Sequence, residues 1–505
     1  MRSQDLQSQK CFGDKLRFRT VQLKTPPVVD TNSSLRIKHP NMTADKNSTS
    51  QASGLSPNPP GSPRLRRVLG LGDLVFYGIV LIQPVAATGP FGVANQMSKG
   101  HIVTTLLIAM VAMLFTAISY GRMAALYPAA GSAYTYVGRG LNPHLGFIAG
   151  WAMFLDYLII PVVNVVFGAL TLQRLFPGTS FLLWAILFAA AITFVNLRGI
   201  QWTARANEIL LAVMSVVIVI FLVQAIRFLW LHQGMAGLFS TEPFYNPRTF
   251  NFRAIATATS FAALTYIGFD GITTLAEDVK EPKRTVPLAT VLVCLFTGIF
   301  GGLQVYLAQR VWPDYNSFPN IETAFFDVCS RVGGTLLFNA MAVTLAVACL
   351  GSGIAGQVGA ARVLFGMGRD NALPAKFFAR LDPKRNTPFL NIWLIGILAL
   401  AGALWLNYER AAELLNFGAF LAFMGVNLAV IREFCFRPPP GHKRNWFLDF
   451  ISPTLGFLFC LGIWLSLPNP AKIVGGIWCV IGFIYTAIKT RGFREKPVMI
   501  DFSGT

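Results

Sequence analysis

The chain has 505 residues, of which 54% are hydrophobic and only 13% charged, with 42 phenylalanines. Soluble domains carry about a quarter charged residues, so this composition excludes an ordinary soluble globular protein and indicates a polytopic membrane protein. The formal net charge of +19 does not indicate nucleic-acid binding, because the basic residues lie between hydrophobic spans rather than on one soluble face.

Residues 1–63 are polar, rich in Pro, Ser, Asn and Thr, and hold no apolar run of signal-peptide length. They read as a disordered cytoplasmic tail, within which Met42 offers an alternative start. Residues 64–490 form the membrane domain, and residues 491–505 a short cytoplasmic C-terminal tail. Apolar runs of spanning length, near 20 residues, recur at about 70–97, 102–126, 144–173, 180–197, 204–229, 252–276, 286–308, 334–366, 389–406, 411–432, 448–467 and 470–488. Leaving aside the nine in residues 1–63, and counting Lys and Arg near a span end with the adjoining gap, the even-numbered gaps, the segment before the first span and the C-terminal end hold 24, against 9 in the odd-numbered gaps. By the positive-inside rule both termini are cytoplasmic. The seven cysteines (Cys11, Cys294, Cys329, Cys349, Cys435, Cys460, Cys479) are scattered singly without metal-ligand spacing, so they indicate neither a disulfide framework nor a zinc site.

Three spans carry residues that a plain membrane helix avoids. In the first, Gly78 to Gly92 reads GIVLIQPVAATGPFG: Pro84 and Pro90 each remove a backbone donor, and Gly89 and Gly92 loosen the chain, so a break or a simple proline kink is expected. In the third, Asp156, Ile160 and Asn164 fall on one helical face, which should point inward. For Asp156 a structural hydrogen bond and a role in amine or proton handling are equally open. In the sixth, Gly268 and Gly271 bracket Asp270, and a run of mainly charged residues follows. An ionisable group at mid-bilayer costs several kcal/mol, roughly 2.5 or more on insertion scales, and is kept where it faces a cavity or transport path. The simplest reading is a broken helix lining a binding site, and the alternative is a continuous helix with Asp270 bonded to a neighbour.

The string GFDGITTLAEDVKEPKRTVP, Gly268 to Pro287, resembles the sixth-helix signature of the amino acid-polyamine-organocation superfamily of secondary transporters. RVLFGMGRDNALP, Arg362 to Pro374, resembles the eighth-helix exit of that superfamily. YPAAGSAYTYVGRGLNPHLGFIAGWAMFLD, Tyr127 to Asp156, is most similar to the bacterial putrescine importers within it. The resemblance covers about residues 64–490. It implies an all-α fold of about twelve transmembrane helices built as a LeuT-type 5+5 inverted repeat, with helices 1 and 6 broken. Helices 1–5 would occupy about 69–230, helices 6–10 about 251–432 and helices 11–12 about 448–488, and five spans per repeat give the two halves opposite topologies.

On that resemblance the substrate-binding residues are Gln83, Pro84, Val85, Ala86, Ala87 and Thr88 in helix 1, with Tyr266, Ile267, Gly268, Phe269 and Asp270 in helix 6. Tyr266 and Phe269 are the aromatic candidates for the pocket wall. Asp156, Asp270, Glu277 and Asp278 are the coupling or gating candidates, with Glu277 and Asp278 a latch toward Lys280, Lys283 or Arg284. Amino acid members of the superfamily carry a small glycine-bearing triplet in helix 1 whose N–H groups hold the substrate carboxylate. Here that place reads Pro84-Val85-Ala86, which puts carboxylate capture in doubt and parallels the putrescine importers. A diamine needs acceptors and aromatic faces instead.

No lysine lies between Lys99 and Lys280, so the buried helix-5 lysine of some proton-coupled relatives is absent. Ser352 and Thr344 offer sodium-type oxygens, although isolated hydroxyls in membrane helices mostly bond to their own backbone. A proton is the favoured coupling ion, with no other cofactor, and exchange without any ion is open. His39, His101, His144, His232 and His442 lie in the tail or in gaps with no partner at hydrolase or metal spacing, and no phosphate-cradling loop appears, so an enzyme is not indicated. The expected function is a secondary transporter importing a small amine or amino acid, most favourably putrescine or another polyamine, through a cell (inner) membrane. The lipid bilayer and the small-molecule substrate are its expected partners, with no nucleic acid and no obligate protein partner. The alternatives are a general amino acid permease or exchanger and, of another class, a non-transporting sensor of transporter-like fold. A sensor would usually append a sizeable soluble domain, and only 17 residues follow Ile488.

Overall fold

The computed structural model describes residues 69–128, 132–199, 204–369, 373–385 and 387–495. The tail expected over residues 1–63 lies outside them, as do Met42 and the last ten residues. Within the described residues the chain is helical, and its only strand-like pairing is an isolated bridge between Leu69 and Val279.

The first span is two helices, α1 (Leu71–Ile82) and α2 (Phe91–Met97), separated by eight irregular residues. Helix α3 (Ile102–Leu126) matches the second predicted span, and a helix not anticipated from the sequence, α4 (Ser132–Gly140), occupies the connection to α5 (Pro143–Leu175). Helices α6 (Phe181–Leu197) and α7 (Ala204–Leu238) complete the first half. The second half opens with α8 (Phe252–Ala262), which passes into 3-10 turns over Ala263–Tyr266 and Phe269–Asp278. It continues through α9 (Pro282–Val311), α10 (Ala324–Arg369), the short α11 (Ala375–Phe378), α12 (Phe389–Trp405) and α13 (Tyr408–Ile431). Helices α14 (Ser452–Ser466) and α15 (Asn469–Lys489) follow.

Nine helices among the described residues are long and apolar enough to cross a membrane, and three shorter apolar helices, Leu71–Ile82, Phe181–Leu197 and Phe389–Trp405, stand at the first, fourth and ninth predicted spans. The eighth span begins ten residues earlier than predicted. Its first segment, from Ala324, is set off from the rest by Gly334 at φ 65°, a bend that hydropathy alone does not report.

Helix starts follow from local chemistry. Asn142, Asn251 and Asn407 each accept a backbone N–H in the first turn of α5, α8 and α13, satisfying donors that have no intrahelical partner. Side chains such as Leu183, Leu187, Val216 and Val223 are exposed on α6 and α7, as expected of surfaces that face lipid. Inward, buried amides join the helices. Gln357 on α10 accepts from Asn196 of α6 at 2.7 Å and donates to Thr193 and to the Ile392 carbonyl of α12.

At the far end of α3, Arg122 pairs with Asp449 at 2.5 Å, donates to the Leu448 carbonyl and lies 3.8 Å over the Phe434 ring. Asp449 is wholly buried, and its other oxygen meets His442 Nε2 at 3.0 Å and accepts the Asn445 N–H at 2.7 Å. Arg122 is thereby a structural tie between α3 and the segment that precedes α14.

Candidate functional site

The two interruptions meet at one cavity of about 530 Å3, walled by the α1–α2 break, the α8 break and helices α5, α7, α10 and α13. Helix α1 ends at Gln83, whose φ of 70° turns the chain out of the helix. Pro84 then has no N–H to give, while the Ala86 and Thr88 N–H groups bond within the break to the carbonyls of Gln83 and Val85 at 3.1 and 3.0 Å. The second break turns at Gly268, φ 120°, a conformation open to glycine and strained for other residues.

Both breaks are held by buried amides from other helices. Gln304 of α9, fully buried, donates to the Pro84 carbonyl at 3.0 Å. Asn416 of α13, also fully buried, donates to the Ser260 carbonyl at 2.7 Å and to Phe261 at 3.3 Å, the last carbonyls before α8 loosens. These contacts satisfy backbone acceptors that an interrupted helix leaves without partners, and an unsatisfied buried acceptor costs about 1–3 kcal/mol.

The cavity wall carries two carboxylates, Asp156 and Asp270, which are 4% and 6% exposed. Among the described residues no Lys, Arg or His lines it, and neither carboxylate takes part in an ion pair. Asp156, Ile160 and Asn164 all reach it, so that face of α5 points inward. The amide donors of the wall are already engaged. Gln83 Nε2 donates to the Ala348 carbonyl at 3.2 Å, and Asn164 Nδ2 donates to the Ile160 carbonyl at 2.8 Å and to Ser352 Oγ at 3.1 Å. Carbonyls only accept, so the orientation of both amides is fixed and their oxygens are left for whatever fills the cavity. Tyr77, Tyr157 and Tyr408 add hydroxyls and ring faces, and Phe167 a further ring.

Of the sequence-derived site residues, Gln83, Pro84, Val85, Ala86, Ile267, Gly268, Asp270 and Asp156 line this cavity. Ala87 and Thr88 do not, and Thr88 Oγ1 turns back to the Val85 carbonyl. Tyr266 and Phe269 are likewise off the wall, which corrects their assignment as its aromatics. Tyr266 points away and donates to the Leu106 carbonyl at 3.0 Å, and Phe269 packs edge-on against Tyr120 with ring centroids 5.5 Å apart. The backbone of Glu277 and Asp278 closes the 3-10 segment, and their side chains lie outside the described residues. Thr344 bonds to its own helix at the Ala340 carbonyl.

Sequence reasoning missed Tyr77, Tyr157 and Tyr408 as wall aromatics, and Gln304 and Asn416 as the holders of the breaks. The last two were detectable as uncharged polar residues inside otherwise apolar spans.

Two interrupted helices meeting at a cavity within a multi-pass helical bundle define a secondary transporter of the LeuT type. The structure is similar to the crystal structure of MhsT in complex with L-phenylalanine, with a TM-score of 0.50 and 16% identity over 84% of this chain and 100% of that one. The amino acid permease family profile matches residues 73–500, and the chain belongs to that family. It is 33% identical over 438 residues to the low-affinity putrescine importer PlaP of Escherichia coli (strain K12), covering 85% of this chain and 95% of that protein. It is 28% identical over 469 residues to the branched-chain amino acid permease BcaP of Lactococcus lactis subsp. cremoris (strain MG1363), covering 85% and 96%.

Proposed function

We propose that this protein imports a small cationic amine, putrescine or a related polyamine, through the cell (inner) membrane by alternating access, with a proton as the coupling ion. The observation that carries the reading is the pair Asp156 and Asp270 on one cavity that holds no cationic side chain among the described residues. Two buried carboxylates without a counter-charge are costly, and an ammonium substrate or a proton relieves that cost. Aromatic faces add cation–π attraction of about 0.5–2 kcal/mol. The similarity to PlaP supports the same cargo. The Lys and Arg distribution supports cytoplasmic termini, and Glu277 and Asp278 are assigned to gating at the end of the second break.

A neutral amino acid is the second reading, favoured by the likeness to BcaP. Carboxylate capture would fall to the N–H groups of Val85 and Ala87, because Pro84 has none and those of Ala86 and Thr88 are engaged. Uptake of labelled putrescine into proteoliposomes, with competitors, decides between them. Putrescine should compete and leucine should not, and strong competition by neutral amino acids alone would overturn the proposal.

A further inference from the structure

From the orientation of two amides we infer that the cavity has a second, uncharged pole, the oxygens of Asn164 and Gln83, which holds the far N–H donor head of an α,ω-diamine and so selects diamines over monoamines.

This inference rests on the cationic-amine reading above and adds an end to the ligand. Asn164 stands eight residues, about 12 Å of helix rise, beyond Asp156 on the same face of α5. Its two N–H groups are directed to the Ile160 carbonyl and to Ser352 Oγ, so Oδ1 is what it offers the cavity. Gln83, at the first break, is fixed in the same sense by the Ala348 carbonyl. Neither oxygen accepts a hydrogen bond among the described residues, and neither is a sealed orphan. Both are acceptors awaiting a donor. A carboxylate or a second carbonyl would be repelled there, whereas an ammonium brings up to three donors.

A monoamine can satisfy the aspartates and leaves this pole empty. A diamine fills both. Ser352 is a positioning residue in this scheme, since it locks Asn164 across from α5 to α10.

The test compares putrescine with n-butylamine, which has the same four carbons and one amine, as competitors of labelled putrescine uptake by the full-length protein in proteoliposomes. In the wild type putrescine should compete at least about tenfold better than butylamine, the range of one hydrogen bond to a charged donor. Asn164→Leu should shrink that gap to about twofold by weakening putrescine while leaving butylamine unchanged. Asn164→Asp, which keeps an oxygen in place and adds charge, should widen it and protects the test if the leucine variant misfolds. A gap unaltered in either well-expressed variant overturns the second pole and leaves the cationic-amine reading standing. If neither amine competes in the wild type, both fall together.

Discussion

Asp270→Asn separates chemistry from architecture at the second break. The carboxylate is almost fully buried on the cavity wall and is in no ion pair among the described residues, so the fold does not depend on its charge. Asparagine keeps the shape, replaces one acceptor with a donor and cannot carry a proton. Losing one buried charge-assisted contact costs about 2–5 kcal/mol, which is roughly 30-fold to several thousandfold in apparent affinity or rate at about 1.4 kcal/mol per decade. Stability should change by less than about 1 kcal/mol, because the amide keeps an oxygen for the neighbouring backbone N–H groups of Gly268 and Gly271. The assay is initial-rate uptake of labelled putrescine across a pH series, with thermal melting of the same purified protein in detergent. Asp156→Asn in parallel shows whether the second carboxylate shares the task. Wild-type kinetics with an unchanged pH profile in a well-folded Asp270→Asn protein would refute both roles given to this carboxylate.

The contrast case is Asp449, where the charge is structural: Asp449→Ala strands the Arg122 guanidinium and the Asn445 N–H, and should cost about 3 kcal/mol or more, seen as a clear fall in melting temperature. Gln304→Leu removes the donor from the Pro84 carbonyl and should raise the putrescine KM by roughly fivefold or more, with normal membrane expression. Gly92→Ala places a Cβ 2.1 Å from the Ile321 backbone oxygen, so α2 must shift away from the α9–α10 connection, and uptake should fall while insertion is retained.

Much of the fold is readable in the chain because membrane insertion imposes its own regularity. Ile102–Leu126 was predicted to the residue, since lipid demands an uninterrupted apolar run and polar residues end it. The breaks were legible for the same reason: prolines and glycines beside a carboxylate contradict a lipid-facing helix. Helix α4 was not, because it is short and carries an Arg, two Gly and two Tyr, a composition that reads as a loop. The wall aromatics were misassigned on position alone. Tyr266 and Phe269 both precede Asp270 within four residues, yet in a tight turn neighbouring side chains leave in different directions, and these two leave into the bundle. Tyr408 lies far along the chain and reaches the site only because α13 folds against α5, where its ring sits tilted against Phe167 with centroids 4.8 Å apart. The partners of Gln304 and Asn416 are equally non-local, so the sequence marks these amides as unusual without saying what they hold.

Those two amides have a thermodynamic consequence. Because Gln304 and Asn416 satisfy the carbonyls bared by each interruption, the unwound segments need no cargo to hold them open. Binding then carries no local melting enthalpy, and calorimetric titration should register only desolvation and contact formation, with a heat-capacity change set by the small apolar area of the ligand. The return of the unloaded protein, likewise, has no helix to rewind.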